Sequence, residues 1–115
     1  MVENAVVAAV QRYLAALPAV GIHPTQAVLF GSYARGEAHQ WSDIDVVVIA
    51  PEFDLPTERK LITKLWDARG SADIRIEPIP CGVHEWETDG SRPVLEIARH
   101  EGVVISVADQ AAGVS

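Results

Sequence analysis

Two aspartates stand two residues apart at the head of the strongest strand signal in the chain: Asp43-Ile44-Asp45, running into Val46-Val47-Val48-Ile49. Strand geometry of period two puts both carboxylates on one face, roughly 7 Å apart along the strand. Like charges that close repel unless something positive lies between them. Mg²⁺ suits the place, because it prefers carboxylate, water and phosphate oxygens. Two such ions about 3.5–4 Å apart can hold both the attacking and the leaving oxygen of a phosphoryl transfer. The plainer reading is a strand cap at Asp43 and a solvent-facing Asp45 on an edge strand. The β-branched run argues instead for a central strand covered on both faces.

Gly31-Ser32 closes another apolar run, "AVLF" at 27–30, about ten residues earlier. A Gly-Ser turn that opens into a helix exposes backbone N–H groups and a hydroxyl, which suits a phosphate. Gly31 would let the backbone approach closely. Alone this is an ordinary tight turn. Paired with two acids on the next strand, it reads as an anion cradle beside a metal pair.

The elements that must position these residues follow from periodicity. Residues 3–17 carry a helical apolar face (Val6, Val7, Val10, Tyr13, Leu14, Leu17), with Asn4 as N-cap and Pro18 and Gly21 as stops. Strand 27–30 and about one helical turn at "SYARG" precede strand 43–50. A second helix is predicted over 56–70, with Leu61, Ile62, Leu65 and Trp66 inward, Thr57 as cap and Gly70 as stop. The alternation in "ADIRIEPI" predicts a strand over 72–79, with Ile74 and Ile76 on one face and Asp73, Arg75 and Glu77 on the other. "CGVHEWETDG" is loop or short helix. A third helix, 91–102, has Ser91 as cap, Pro93 near its start and Gly102 at its end, and "VVIS" is a last short strand. The order predicts an α/β (α+β) fold, a small mixed sheet flanked by helices. One domain over 1–107 is expected, with a flexible tail over 108–115.

Composition narrows the partners. Net charge is −7, from nine Lys+Arg against sixteen Asp+Glu, and the basic residues are scattered. That argues against direct binding of long nucleic acid, which calls for a basic patch. No apolar run reaches the roughly 18–20 residues of a membrane span. Met1-Val2-Glu3 is not the basic start of a secretory signal, and the single Cys81 cannot form an internal disulfide. A cytoplasmic location is the expectation.

The stretch "GSYARGEAHQWSDIDVVV" closely resembles the signature G-S-x-A-R-G-x(5)-S-D-x-D of the DNA polymerase beta-like nucleotidyltransferase superfamily. The short chain resembles its minimal nucleotidyltransferases (MNT). The match includes Gly31, Ser32, Ala34, Arg35, Gly36, Ser42, Asp43 and Asp45. The resemblance implies the polymerase beta-like fold, ATP or another NTP as substrate, two Mg²⁺ ions, and transfer of a nucleotidyl group to a hydroxyl. It places Gly31, Ser32, Arg35 and Ser42 on the nucleotide side. Read by themselves, Arg35 serves equally as a triphosphate ligand or a loop lock, and Ser42 is a turn residue.

The resemblance also implies a third carboxylate on a neighbouring strand, for catalysis and metal binding with Asp43 and Asp45. Asp73 and Glu77 are the candidates. Glu77 is preferred because "RIEPIP" lies where family members carry the acid followed by an apolar pair, although Asp is the commoner residue there. An antiparallel neighbour would also bring Glu77, near a strand end at Pro78, beside the start of strand 43–50. Tyr33 is expected to pack rather than stack on a base, Trp41, Trp66 and Trp86 to fill core or interface, and Cys81 to be unreactive.

The chain is expected to lack the acceptor-binding domains of larger members. The acceptor is expected on a second protein or at a subunit interface. In the family, minimal nucleotidyltransferases pair with helical HEPN proteins as antitoxin and toxin, and adenylylate the partner. The resemblance makes that the leading expectation. A non-catalytic antitoxin that neutralises by occlusion is the alternative.

Overall fold

The computed structural model describes residues 3–39, 41–88 and 92–107. The expected cap Ser91 and the expected tail over 108–115 lie outside the described residues. Helix α1 (Asn4–Ala16) leads through a 3₁₀ turn (Leu17–Val20) to strand β1 (Gln26–Phe30) and the single-turn helix α2 (Ser32–Arg35). Strand β2 (Ile44–Ile49), a 3₁₀ turn (Pro51–Asp54), helix α3 (Arg59–Asp67) and a further 3₁₀ turn (Ala68–Ser71) follow. Strand β3 (Ile76–Cys81), helices α4 (Val83–Thr88) and α5 (Pro93–Glu101), and strand β4 (Val103–Ile105) complete the order. The four strands lie in the order β3-β2-β1-β4, with β1 antiparallel to β2 and β4, and β2 parallel to β3. This is the mixed sheet flanked by helices that periodicity predicts.

Strand β2 is central, and its apolar alternation fixes the fold. Ile44, Val46 and Val48 face a core closed by Val10, Tyr13 and Leu14 of α1 and Leu65 of α3. Val47 and Ile49 face a second core with Val28, Phe30, Leu95 and Ala98. All five β2 side chains are within 1% of full burial. Each contributes roughly 1.5–3 kcal/mol by leaving water. A one-residue slip would turn every β2 side chain to the other face, driving Asp45 into the first core, so register is strongly specified. Tyr13 ties the helices together by donating its hydroxyl to the Leu65 carbonyl at 2.5 Å.

Several sequence expectations are corrected. The cap position of α1 is Glu3, not Asn4, and makes no side-chain capping bond. Glu58 rather than Thr57 precedes α3; the Thr57 hydroxyl bonds the Leu55 carbonyl, and Gly70 lies inside the 3₁₀ turn that follows α3. Strand β3 starts at Ile76, four residues later than alternation implies, and continues through Pro78 and Pro80 to Cys81. Pro is tolerated there because β3 is an edge strand, where a missing donor can face outward. Ile74 is 75% exposed rather than in the core. Trp41 is 78% exposed, so it fills no core in this chain. Among the described residues no helix is long and apolar enough to cross a membrane.

Candidate active site

Three chain directions converge on one end of the sheet. Because β1 and β2 are antiparallel, the end of β1 meets the start of β2, with Phe30 opposite Asp45. Because β2 and β3 are parallel, the start of β3 lies there too, and Asp45 is the register partner of Glu77. The expectation of an antiparallel neighbour is thus wrong, yet Glu77 still reaches the pair. The late start of β3 makes it the second residue of its strand instead of one near the end.

Asp43 lies just before β2 and is exposed, while Asp45 and Glu77 are half-buried. Burial raises Asp45 above the ordinary carboxylate range, and the Asp43 charge adds to it; Arg35 partly offsets the rise and Glu101 adds to it. Burial also raises Glu77, followed by the Asp43 and Asp45 charges and a hydrogen bond with Asp43, with Arg69 partly offsetting. Both shifts come first from burial and then from the neighbouring carboxylates.

Asp73, the other candidate third acid, does different work. It accepts from the Arg75 backbone N–H at 2.9 Å and from the Arg75 guanidinium at 3.1 and 2.7 Å. These bonds hold its carboxyl below the usual range. Arg75 in turn donates to the hydroxyl of Tyr33, which is 5% exposed and packs as expected. Arg69 closes the same turn by donating to the Ile74 and Ile76 carbonyls, and its guanidinium lies over the Trp66 ring at 4.7 Å.

The Gly31 turn presses on Asp45. Gly31 has φ 78° and ψ −155°, a conformation that side-chain-bearing residues avoid. A Cβ there would stand 3.3 Å from the Asp45 carboxyl carbon and would overlap Oδ2. Gly36, at φ 73°, ends α2 with the Glu37 N–H on the Ser32 carbonyl. Arg35 donates from Nε to Glu37 at 2.8 Å and from Nη1 to Glu101 at 3.0 Å. Glu101, which no sequence spacing singles out, also accepts from the Gly31 N–H at 2.7 Å. The Ser42 hydroxyl accepts from the His39 N–H at 3.0 Å and so shapes the loop before Asp43.

Among the described residues no three His, Cys, Asp or Glu form a ready-made metal cage. Mg²⁺ rarely needs one; one or two carboxylates usually hold it, with waters and substrate phosphates completing the octahedron. The oxygen-only donors of Asp43, Asp45 and Glu77 suit such a hard cation. Cys81 stands apart from this chemistry, for burial pushes its thiol up to about 12.

A family model described as a nucleotidyltransferase domain matches residues 13–87 of this chain. A curated relative from Methanocaldococcus jannaschii, named "Putative protein adenylyltransferase MJ0141", is 40% identical over 53 residues. That alignment spans 45% of this chain and 54% of the relative, so the chain matches about half of the relative's length. A solved structure described as "Crystal structure of the toxin-antitoxin with AMP-PNP" contains a chain of the same fold, at TM-score 0.50 and 22% identity, covering 90% of this chain and 78% of that one.

Proposed function

The chain belongs to the nucleotidyltransferase domain family, and from that premise we propose that it transfers AMP from ATP to a hydroxyl of a partner protein. The observation that carries this reading is the Asp45–Glu77 register pair, with Asp43 beside it and the Gly31 turn against Asp45. The Gly31-Ser32 turn and Arg35 bind and orient the triphosphate. Asp43, Asp45 and Glu77 would hold Mg²⁺, which when bound would supply charge neutralisation and lower the pKa of the attacking hydroxyl. That oxygen forms a bond to the α-phosphorus, the α–β bridging bond breaks, and pyrophosphate leaves. Glu77 accepts the hydroxyl proton.

The partner in this reading is a helical HEPN-type toxin, with this chain as its antitoxin. The relative's name supports a protein acceptor and the neighbour's description supports a toxin–antitoxin pair, while the HEPN type of the partner rests on the family resemblance of the signature alone. The exposed Trp41 and Ile74, just before β2 and β3, offer a partner an apolar rim near the acids.

The test is co-expression with the genomic neighbour, followed by incubation with Mg²⁺ and α-labelled ATP. AMP label on the partner chain is expected. Asp43→Asn or Asp45→Asn should abolish labelling while leaving the fold intact or slightly more stable, since a like-charge pair is relieved. Undiminished labelling by either variant would sink the assignment. A partner neutralised equally well by wild type and Asp45→Asn, with no label on either, would instead make the chain a binding module.

A further inference from the structure

The proposed nucleotide turn already holds an anion. Gly31 N–H and Arg35 Nη1 converge on the same oxygen, Oε2 of Glu101, at 2.7 and 3.0 Å. We propose that the Glu101 carboxylate is a built-in competitor for the nucleotide's phosphates, exchanged for a phosphate oxygen when nucleotide binds. The inference rests on reading the Gly31 turn as the phosphate cradle.

Glu101 is poorly placed for any other purpose. It is the last residue of α5, where the helix dipole favours a cation over an anion. That unfavourable placement is balanced by the Gly31 N–H and by Arg35, whose side chain is 45% exposed. A phosphate oxygen there would meet the same two donors. Glu37, on the other edge of the guanidinium, keeps Arg35 aligned while Glu101 departs.

The experiment compares wild type, Glu101→Gln and, as a control, Glu96→Gln, which removes an exposed acid of α5 paired with Arg99. The probe is the Mg²⁺ complex of a non-hydrolysable ATP analogue, with binding read by calorimetry and transfer kinetics read on the co-expressed partner. Glutamine still accepts from Gly31 N–H but no longer opposes phosphate, so Kd and KM should fall roughly three- to tenfold, with kcat changed less than KM. Glu96→Gln should leave Kd unchanged. A folded Glu101→Gln that binds no tighter than wild type, or more weakly, overturns the inference and leaves Glu101 a structural tie. If that variant does not fold, the Glu101 carboxyl ¹³C resonance of the wild type decides: it shifts on saturation with the analogue, and an unmoved resonance overturns the inference. Wild-type protein that binds no analogue refutes the nucleotide reading and this inference together. Wild-type transfer without tighter binding by Glu101→Gln refutes this inference alone.

Discussion

Replacing Gly31 with alanine tests whether the turn and the acid pair are one device. The backbone at φ 78°, ψ −155° lies in a region open essentially to glycine, and holding alanine there costs about 1–3 kcal/mol. The new Cβ would also overlap Asp45 Oδ2, forcing that carboxylate from its rotamer at about 0.5–1.5 kcal/mol. The sum is roughly 1.5–4.5 kcal/mol, or about 6–18 °C in Tm at about 4 °C per kcal/mol for a domain of this size. The assay is urea unfolding at neutral pH of Gly31→Ala, Asp45→Ala and the double variant. Removing the Asp45 carboxylate removes the collision but not the backbone strain. The double variant should therefore be more stable than additivity predicts by about 0.5–1.5 kcal/mol. A Gly31→Ala protein within about 0.5 kcal/mol of wild type, or strict additivity within about 0.3 kcal/mol, would refute the reasoning.

Ser32→Ala should weaken nucleotide use by one hydrogen bond to a charged group, about 1.5–3 kcal/mol in kcat/KM, and Gly31→Val should be worse; normal kinetics in both would reduce the turn to a turn. Glu77→Gln should remove most labelling of the partner while analogue binding survives, and Asp73→Asn should be mild; the reverse ranking would move the third acid to Asp73. Asp73→Asn should lower stability at neutral pH by about 1–2 kcal/mol, the low end for a charge-assisted pair whose Arg75 side chain is 35% exposed. Its folded-state pKa is depressed from the ordinary 3.8, so this stabilisation is present above 3.8 and is lost as pH falls through the depressed value. Urea midpoints of wild type and variant should therefore converge on acidification, and a gap that persists in strong acid would exclude the ion pair as its source.

The central strand was legible because its signal is redundant. Every residue of Val46–Ile49 is apolar and β-branched, and each is buried as that pattern demands. The signature around Gly31 to Asp45 was legible because the turn and the pair lie within one local stretch. The strand over 72–79 misled because Asp-Ile-Arg-Ile-Glu alternates by type, while Asp73 and Arg75 prefer each other to a sheet face. Their pairing bends the chain and delays β3, a choice set by side-chain hydrogen bonds that periodicity does not register. Strand direction was misread for a related reason: Pro78 looks like an end only if β3 is not an edge. Glu101 was invisible because its partners are Gly31 and Arg35, some 70 and 66 residues away.

The two misreadings cancelled for a physical reason. In the proposed reading a third acid reaches the pair from a neighbouring strand, and the crossover through α3 brings that strand back parallel to β2. Parallel strands put both starts at the same end, so the acid must lie near the start of β3. The Asp73–Arg75 turn supplies this by consuming the residues that would otherwise have placed Glu77 farther along the strand. In the proposed reading Asp73 is therefore a positioning residue for Glu77 rather than a metal ligand. The difference can be measured in the substitutions already named. Asp73→Asn should lose stability without losing its Mg²⁺ requirement, whereas Glu77→Gln should retain stability and lose transfer.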